Sequence, residues 1–174
     1  MAHYKNIIEE FEKKCNFKPN EKSIKTATSF LIYGQSNNLQ CILKIFNDNS
    51  DELLSSVALK HYQGYRAVKI IKSTNKAILL EQAEPAIPLK SLSLEGKDDE
   101  ATEIFCNTLR GLHKNSHNII GFPEIKNYWG TGFDSYLHSG NRQIPKSLVE
   151  KAKKIFFDLA NSQATQILLH GDLH

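Results

Sequence analysis

The chain has 174 residues, 40% of them hydrophobic and 24% charged, with 22 Lys+Arg against 19 Asp+Glu for a net charge of +3. These figures exclude collagenous, disordered and disulfide-scaffold classes, and a length like this buries about 70% of the unfolded surface, enough for one domain or two small lobes. The interspersed charges give no sign of a dedicated nucleic-acid binder.

Tyr4, Ile7, Ile8, Phe11 and Cys15 recur at helical spacing between Glu and Lys residues, predicting an N-terminal amphipathic helix that ends near Pro19-Asn20. Residues 26–33 are β-branched and aromatic, Gly34–Asn38 is turn chemistry, and Gln40–Phe46 reads as a second strand, so the pair is a hairpin. Leu53, Leu54, Val57, Ala58 and His61 trace the face of a helix closed by Gly64. Ala67–Lys72 and Ala77–Glu81 form another hairpin around Ser73-Thr74-Asn75.

Strand signals almost vanish after residue 82. A helix opens at Asp98-Asp99-Glu100, with Ala101, Ile104, Phe105, Leu109 and Leu112 expected inward; its acidic start and basic end suit the helix dipole. Trp129, Phe133, Tyr136 and Leu137 suggest a short helix with its aromatics packed inward. Pro145 suits a first helical position, followed by the stripe Leu148, Ala152, Ile155, Phe156 and Leu159. Ile167-Leu168-Leu169 is read as a brief strand entering His170-Gly171-Asp172-Leu173-His174. An antiparallel sheet with one inserted helix, followed by a helical region, is an α+β layout.

Cys15, Cys41 and Cys106 are odd in number and form no C-x-x-C pair, so disulfide and zinc readings are weak and a reducing, cytoplasmic setting is expected. The N-terminus lacks the apolar core of a signal peptide, and no window approaches eighteen uninterrupted apolar residues, so no membrane partner is expected.

Two features carry chemistry. His170-Gly171-Asp172 after an apolar strand presents a carboxylate at a strand end, as in a kinase catalytic loop where the Asp accepts the substrate hydroxyl proton. Lys44 lies inside the apolar run Cys41–Phe46, in the second strand of a hairpin and directly before a helix, where a kinase keeps its phosphate-holding lysine. A lysine there is more often an edge residue, and a lone His-x-Asp is common; their order and spacing together carry the argument.

Several strings then resemble the aminoglycoside phosphotransferases, within them the streptomycin-6-kinase/hydroxyurea-kinase-like branch. They are Ile42-Leu43-Lys44; Ala58-Leu59-Lys60 with Gly64 and Ala67–Ile71; and Ile78–Gln82. Asp98–Ala101 with Leu109-Arg110-Gly111-Leu112-His113, and Leu168–His174, complete the set. The resemblance implies a bilobal protein-kinase-like fold, with residues 1–82 a nucleotide-holding lobe with a leading helix and 83–174 a partial helical lobe ending in the catalytic loop. It implies ATP and Mg²⁺, with Lys44 on the α- and β-phosphates and backbone near Glu81, Gln82 and Ala83 on adenine. Asp172 would orient or deprotonate the hydroxyl of a small-molecule aminocyclitol such as streptomycin.

By the same resemblance, the metal-holding Asn and Asp fall beyond His174, so the chain is expected to be an N-terminal portion, inactive alone. The phosphate loop has no glycine between Ser23 and Tyr33, and the glutamate that normally pairs with the lysine is replaced in register by Ser55, with Glu52 one turn earlier. Two further readings stand beside this one: a kinase-like remnant that binds nucleotide without catalysis, and a metallophosphoesterase opening at Asp172-Leu173-His174. Self-association through apolar faces of residues 101–112 and 148–159 is also expected.

Overall fold

A computed structural model describes residues 2–47, 52–62, 64–114 and 121–170. They form two compact units, Met1–Ser116 and His117–His174.

The first unit begins with α1 (Ala2–Cys15), followed by β1 (Phe17–Lys25), β2 (Ser29–Ser36), β3 (Leu39–Phe46), α2 (Glu52–Tyr62), β4 (Ile70–Ser73) and β5 (Ala77–Glu81). The strands make one antiparallel sheet in the order β1-β2-β3-β5-β4. Successive strand residues point to opposite faces, and directly opposed residues share one. Cys41, Leu43 and Ile45 of β3 therefore share a face with Ile32, Leu79 and Ala77, and this face forms the core together with Phe11 and Phe17. Tyr4, Ile7, Ile8 and Cys15 of α1 pack against it, as the helical spacing predicted. Gly34 is required here by its neighbours: a Cβ would strike the Lys18 carbonyl oxygen and come within 2.7 Å of the Phe17 ring.

β1 leaves no signal in the sequence, and residues 26–28, expected within a strand, lie outside one. Only Phe17 of β1 is buried, so the segment shows no alternation, and Pro19 argues against a strand everywhere except at an edge. β1 is such an edge; it pairs with β2 on one side and carries a register shift between Pro19 and Ser23. Residues 26–28 form the turn into β2.

Cys41 is fully buried in this core. Burial, with a smaller contribution from Cys15, raises its thiol from the ordinary value of 9.0 to about 11. The unfolded thiol thus ionises first, and ionisation favours unfolding. Its contribution to stability is complete below pH 9 and is lost as pH rises to 11. The stability difference between wild type and Cys41→Ala should shrink over that window in denaturant titrations; a constant difference would contradict it.

α3 (Leu89–Leu94) and α4 (Asp98–Lys114) complete the first unit and pack on each other. α3 was not expected from the sequence. Ala101 and Leu112 of α4 are buried, whereas Ile104 and Phe105, expected inward, are exposed.

The second unit contains α5 (Ile125–His138) and α6 (Lys146–Asn161). Lys126 bonds Asn161 (3.3 Å), Phe157 lies against Gly130, and Lys153 pairs with Asp134 (2.6 Å). These pairs run in opposite senses along the two helices, which makes an antiparallel hairpin. Phe133 packs on Phe156 with centroids 5.4 Å apart, while Trp129, also expected inside, is 54% exposed. The packed face of α6 includes Val149, Phe156 and Phe157, leaving Leu148, Ile155 and Leu159 of the expected stripe exposed. The helix carries two adjoining apolar faces, and periodicity could not rank them. Ile167-Leu168-Leu169 forms no strand among the described residues, where nothing pairs with it.

Candidate functional site

Lys44 stands near the middle of the sheet, directly opposite Leu31 of β2 on one side and Ile78 of β5 on the other. Its neighbours Leu43 and Ile45 point into the α1-covered core, so Lys44 belongs to the other face and is half-buried there. That face is apolar around it. Tyr33, Ile42 and Leu80 form the adjoining row, and the Lys22 ammonium lies 4.0 Å from the centre of the Tyr33 ring. A cation on a rigid central strand, set in an apolar face, suits a ligand with a flat apolar body and an anionic end.

At one end of this face β5 leaves the sheet. The Glu81 N–H donates to the Lys69 carbonyl (3.0 Å), and the Glu81 carboxylate accepts from the Lys69 N–H (2.8 Å). The Gln82 N–H donates to the Gln40 carbonyl (2.9 Å), and its amide donates to Glu84 (3.2 Å). Ala83 is exposed, and its backbone makes no hydrogen bond among the described residues. Of the three residues expected to meet a ligand through backbone groups, Glu81 and Gln82 already have their N–H groups engaged, and Ala83 keeps an open donor. Three residue steps along β5 separate the Lys44 level, at Ile78, from Glu81, roughly 10 Å along the sheet.

At the opposite end of the face, Thr26–Thr28 link β1 to β2. The Thr26 N–H donates to the Ser29 carbonyl (2.8 Å), and the Ser29 N–H donates to the Thr26 hydroxyl (2.9 Å). Asn47, just past β3, donates from its side chain to the Ala27 carbonyl (2.8 Å) and from its backbone to that of Thr28 (2.8 Å). This clamp was not legible in the sequence, where Asn47 reads only as one of several short polar residues after a strand. It gives a glycine-free turn a defined shape three residues beyond Lys44.

Ser55 is half-buried in α2, and Glu52 begins that helix. Asp172 lies outside the described residues, whereas His170 is exposed. The structure therefore brings Lys44 and the Glu81–Ala83 segment onto one sheet and leaves Asp172 unplaced. Among the described residues no group of three or more His, Cys, Asp and Glu is placed to hold a metal ion. No helix among them is long and apolar enough to cross a membrane.

The family model for aminoglycoside/hydroxyurea antibiotic resistance kinases matches residues 15–174. The chain belongs to that family. The match begins at the last residue of α1, Cys15. Among solved structures the chain is similar to choline kinase LicA from Streptococcus pneumoniae, with 20% identity and a TM-score of 0.53. That match covers 92% of this chain and 57% of the choline kinase, so the chain spans little more than half of its neighbour's length. A comparison with curated proteins finds no match. The resemblance read from the sequence is borne out by the family, and the α+β, protein-kinase-like fold by the five-stranded sheet and its structural neighbour.

Proposed function

We propose that this family member is the N-terminal portion of an ATP-dependent phosphotransferase acting on an alcohol group of an aminocyclitol such as streptomycin. The observation that carries the reading is Lys44, half-buried on the central strand of the sheet and on the face that α1 leaves uncovered. On this reading Ile42, Tyr33 and Leu80 bound the adenine, the backbone at Glu81–Ala83 bonds its edge, and Lys44 meets the α- and β-phosphates. The turn clamped by Asn47 closes the phosphate end. Asp172 holds the acceptor hydroxyl and accepts its proton as the new O–P bond forms and ADP departs. Catalysis in such a site is mainly positioning and charge neutralisation.

The test is phosphate transfer from labelled ATP, in Mg²⁺, by the natural full-length protein containing these residues. Streptomycin and hydroxyurea serve as parallel acceptors. Transfer to streptomycin supports the reading, and transfer to hydroxyurea alone replaces the substrate. ATP binding without transfer to either acceptor would leave a nucleotide-binding remnant.

A further inference from the structure

A groove of about 480 Å³ runs between α2 and β4, with Leu59 and Lys60 on the helix side and the stretch 69–73 on the strand side. That volume falls within the usual range for ligand clefts. β4 is the last strand of the sheet, so its outer edge pairs with no strand among the described residues. The pairing with β5 shifts register between Ile70 and Lys72, and Ile71, at the shift, is exposed.

The groove has a strong charge bias. Lys60, Lys69 and Lys72 line it and are exposed, and none is in an ion pair among the described residues. Two acids lie nearby: the Glu81 carboxylate accepts the Lys69 N–H (2.8 Å), and Glu10, beside Lys72 in a smaller cleft, is bonded to Lys14 at 2.8 Å. The Lys69 side chain lies against Gly64, at φ +83°, where an added Cβ would strike it.

An open strand edge offers alternating donors and acceptors to an extended main chain, and the side chains that border it select the partner. Lysines along the edge disfavour an apolar or basic strand and favour an acidic one. Leu59 and Ile71 supply apolar contact for the alternate side chains. We propose that the groove receives an extended acidic peptide segment of a partner protein, which adds a strand to β4 and sets its carboxylates on Lys60, Lys69 and Lys72. This inference does not rest on the nucleotide reading, and failure of ATP binding would leave it standing.

The test uses the natural full-length protein containing these residues and a fluorescein-labelled peptide, Glu-Val-Glu-Val-Glu-Val, followed by anisotropy. Saturable binding is expected, weakened at least tenfold by the double substitution Lys60→Gln/Lys72→Gln and unaffected by Lys44→Met. Methylation of alternate peptide nitrogens, which removes strand donors and keeps the charge, should weaken binding as strongly. A thermal midpoint matching wild type shows that the double variant is folded; if it is not, Lys60→Gln alone on the exposed face of α2 should weaken binding about threefold. Absence of saturable binding overturns the proposal. So does equal binding of the methylated peptide, or full competition by inorganic triphosphate at equal concentration, since each would reveal an anion patch without strand addition.

Discussion

Lys44→Met is expected to lower the affinity of the chain for ATP and ADP by about 10- to 100-fold while leaving adenosine binding unchanged. A charge-assisted hydrogen bond contributes about 1.5–3 kcal/mol, and each 1.4 kcal/mol is tenfold in affinity. Methionine keeps the unbranched stem against Leu31 and Ile78 and removes only the ammonium, so the sheet should stay intact. Calorimetric titration with the three ligands separates the outcomes. An equal loss for adenosine would point to a damaged fold, and ATP affinity within twofold of wild type would remove Lys44 from the phosphate site.

Leu43→Ala, one residue away, should act on stability. Leu43 is 0% exposed, lies between Ile32 and Leu79 across the sheet, and belongs to the cluster beneath α1. Truncating a leucine in such a position costs about 2–5 kcal/mol, because it removes buried surface and leaves a cavity. For a unit of this size the thermal midpoint should fall by about 10 °C or more. Leu39→Ala, at the 60%-exposed start of the same strand, controls for residue type and should shift it by no more than about 3 °C. Equal shifts for the two variants would mean that the core does not centre on β3.

The two neighbouring substitutions thus report different faces of one strand. Much of this was legible in the residues. The alternation of Cys41, Leu43 and Ile45 with Ile42 and Lys44 separates an inner face from a lysine-bearing one, and the 3.6-residue spacing of Tyr4, Ile7, Ile8 and Phe11 marks the helix that covers the inner face. The hairpin ending at Glu81 was equally clear, since β-branched and leucine residues flank an obvious turn.

Elsewhere local signals failed for identifiable reasons. β1 forms because its backbone completes the ladder beside β2, and a strand with one buried side chain leaves no hydrophobic pattern to read. The Asn47 clamp depends on the end of β3 returning beside the β1–β2 turn, an adjacency created by register. On α6, Val149, Phe156 and Phe157 lie inward and Leu148, Ile155 and Leu159 outward; the partner helix chose between two comparable stripes.

The sequence by itself determined the family and the sheet-then-helix order, and it singled out Lys44 and Asp172 as candidates for the chemistry. Those are properties of composition and short-range spacing, carried by residue types that few other roles would place in that order. The tertiary structure alone decided the strand order that puts Lys44 near the centre of the sheet, the apolar row beside it, and the clamped turn beyond it. It also decided that Lys60 of α2 and Lys69 and Lys72 beside it line one groove. Strand pairing joins residues far apart in the chain, and the net stabilisation of each such contact depends on burial that no local window contains.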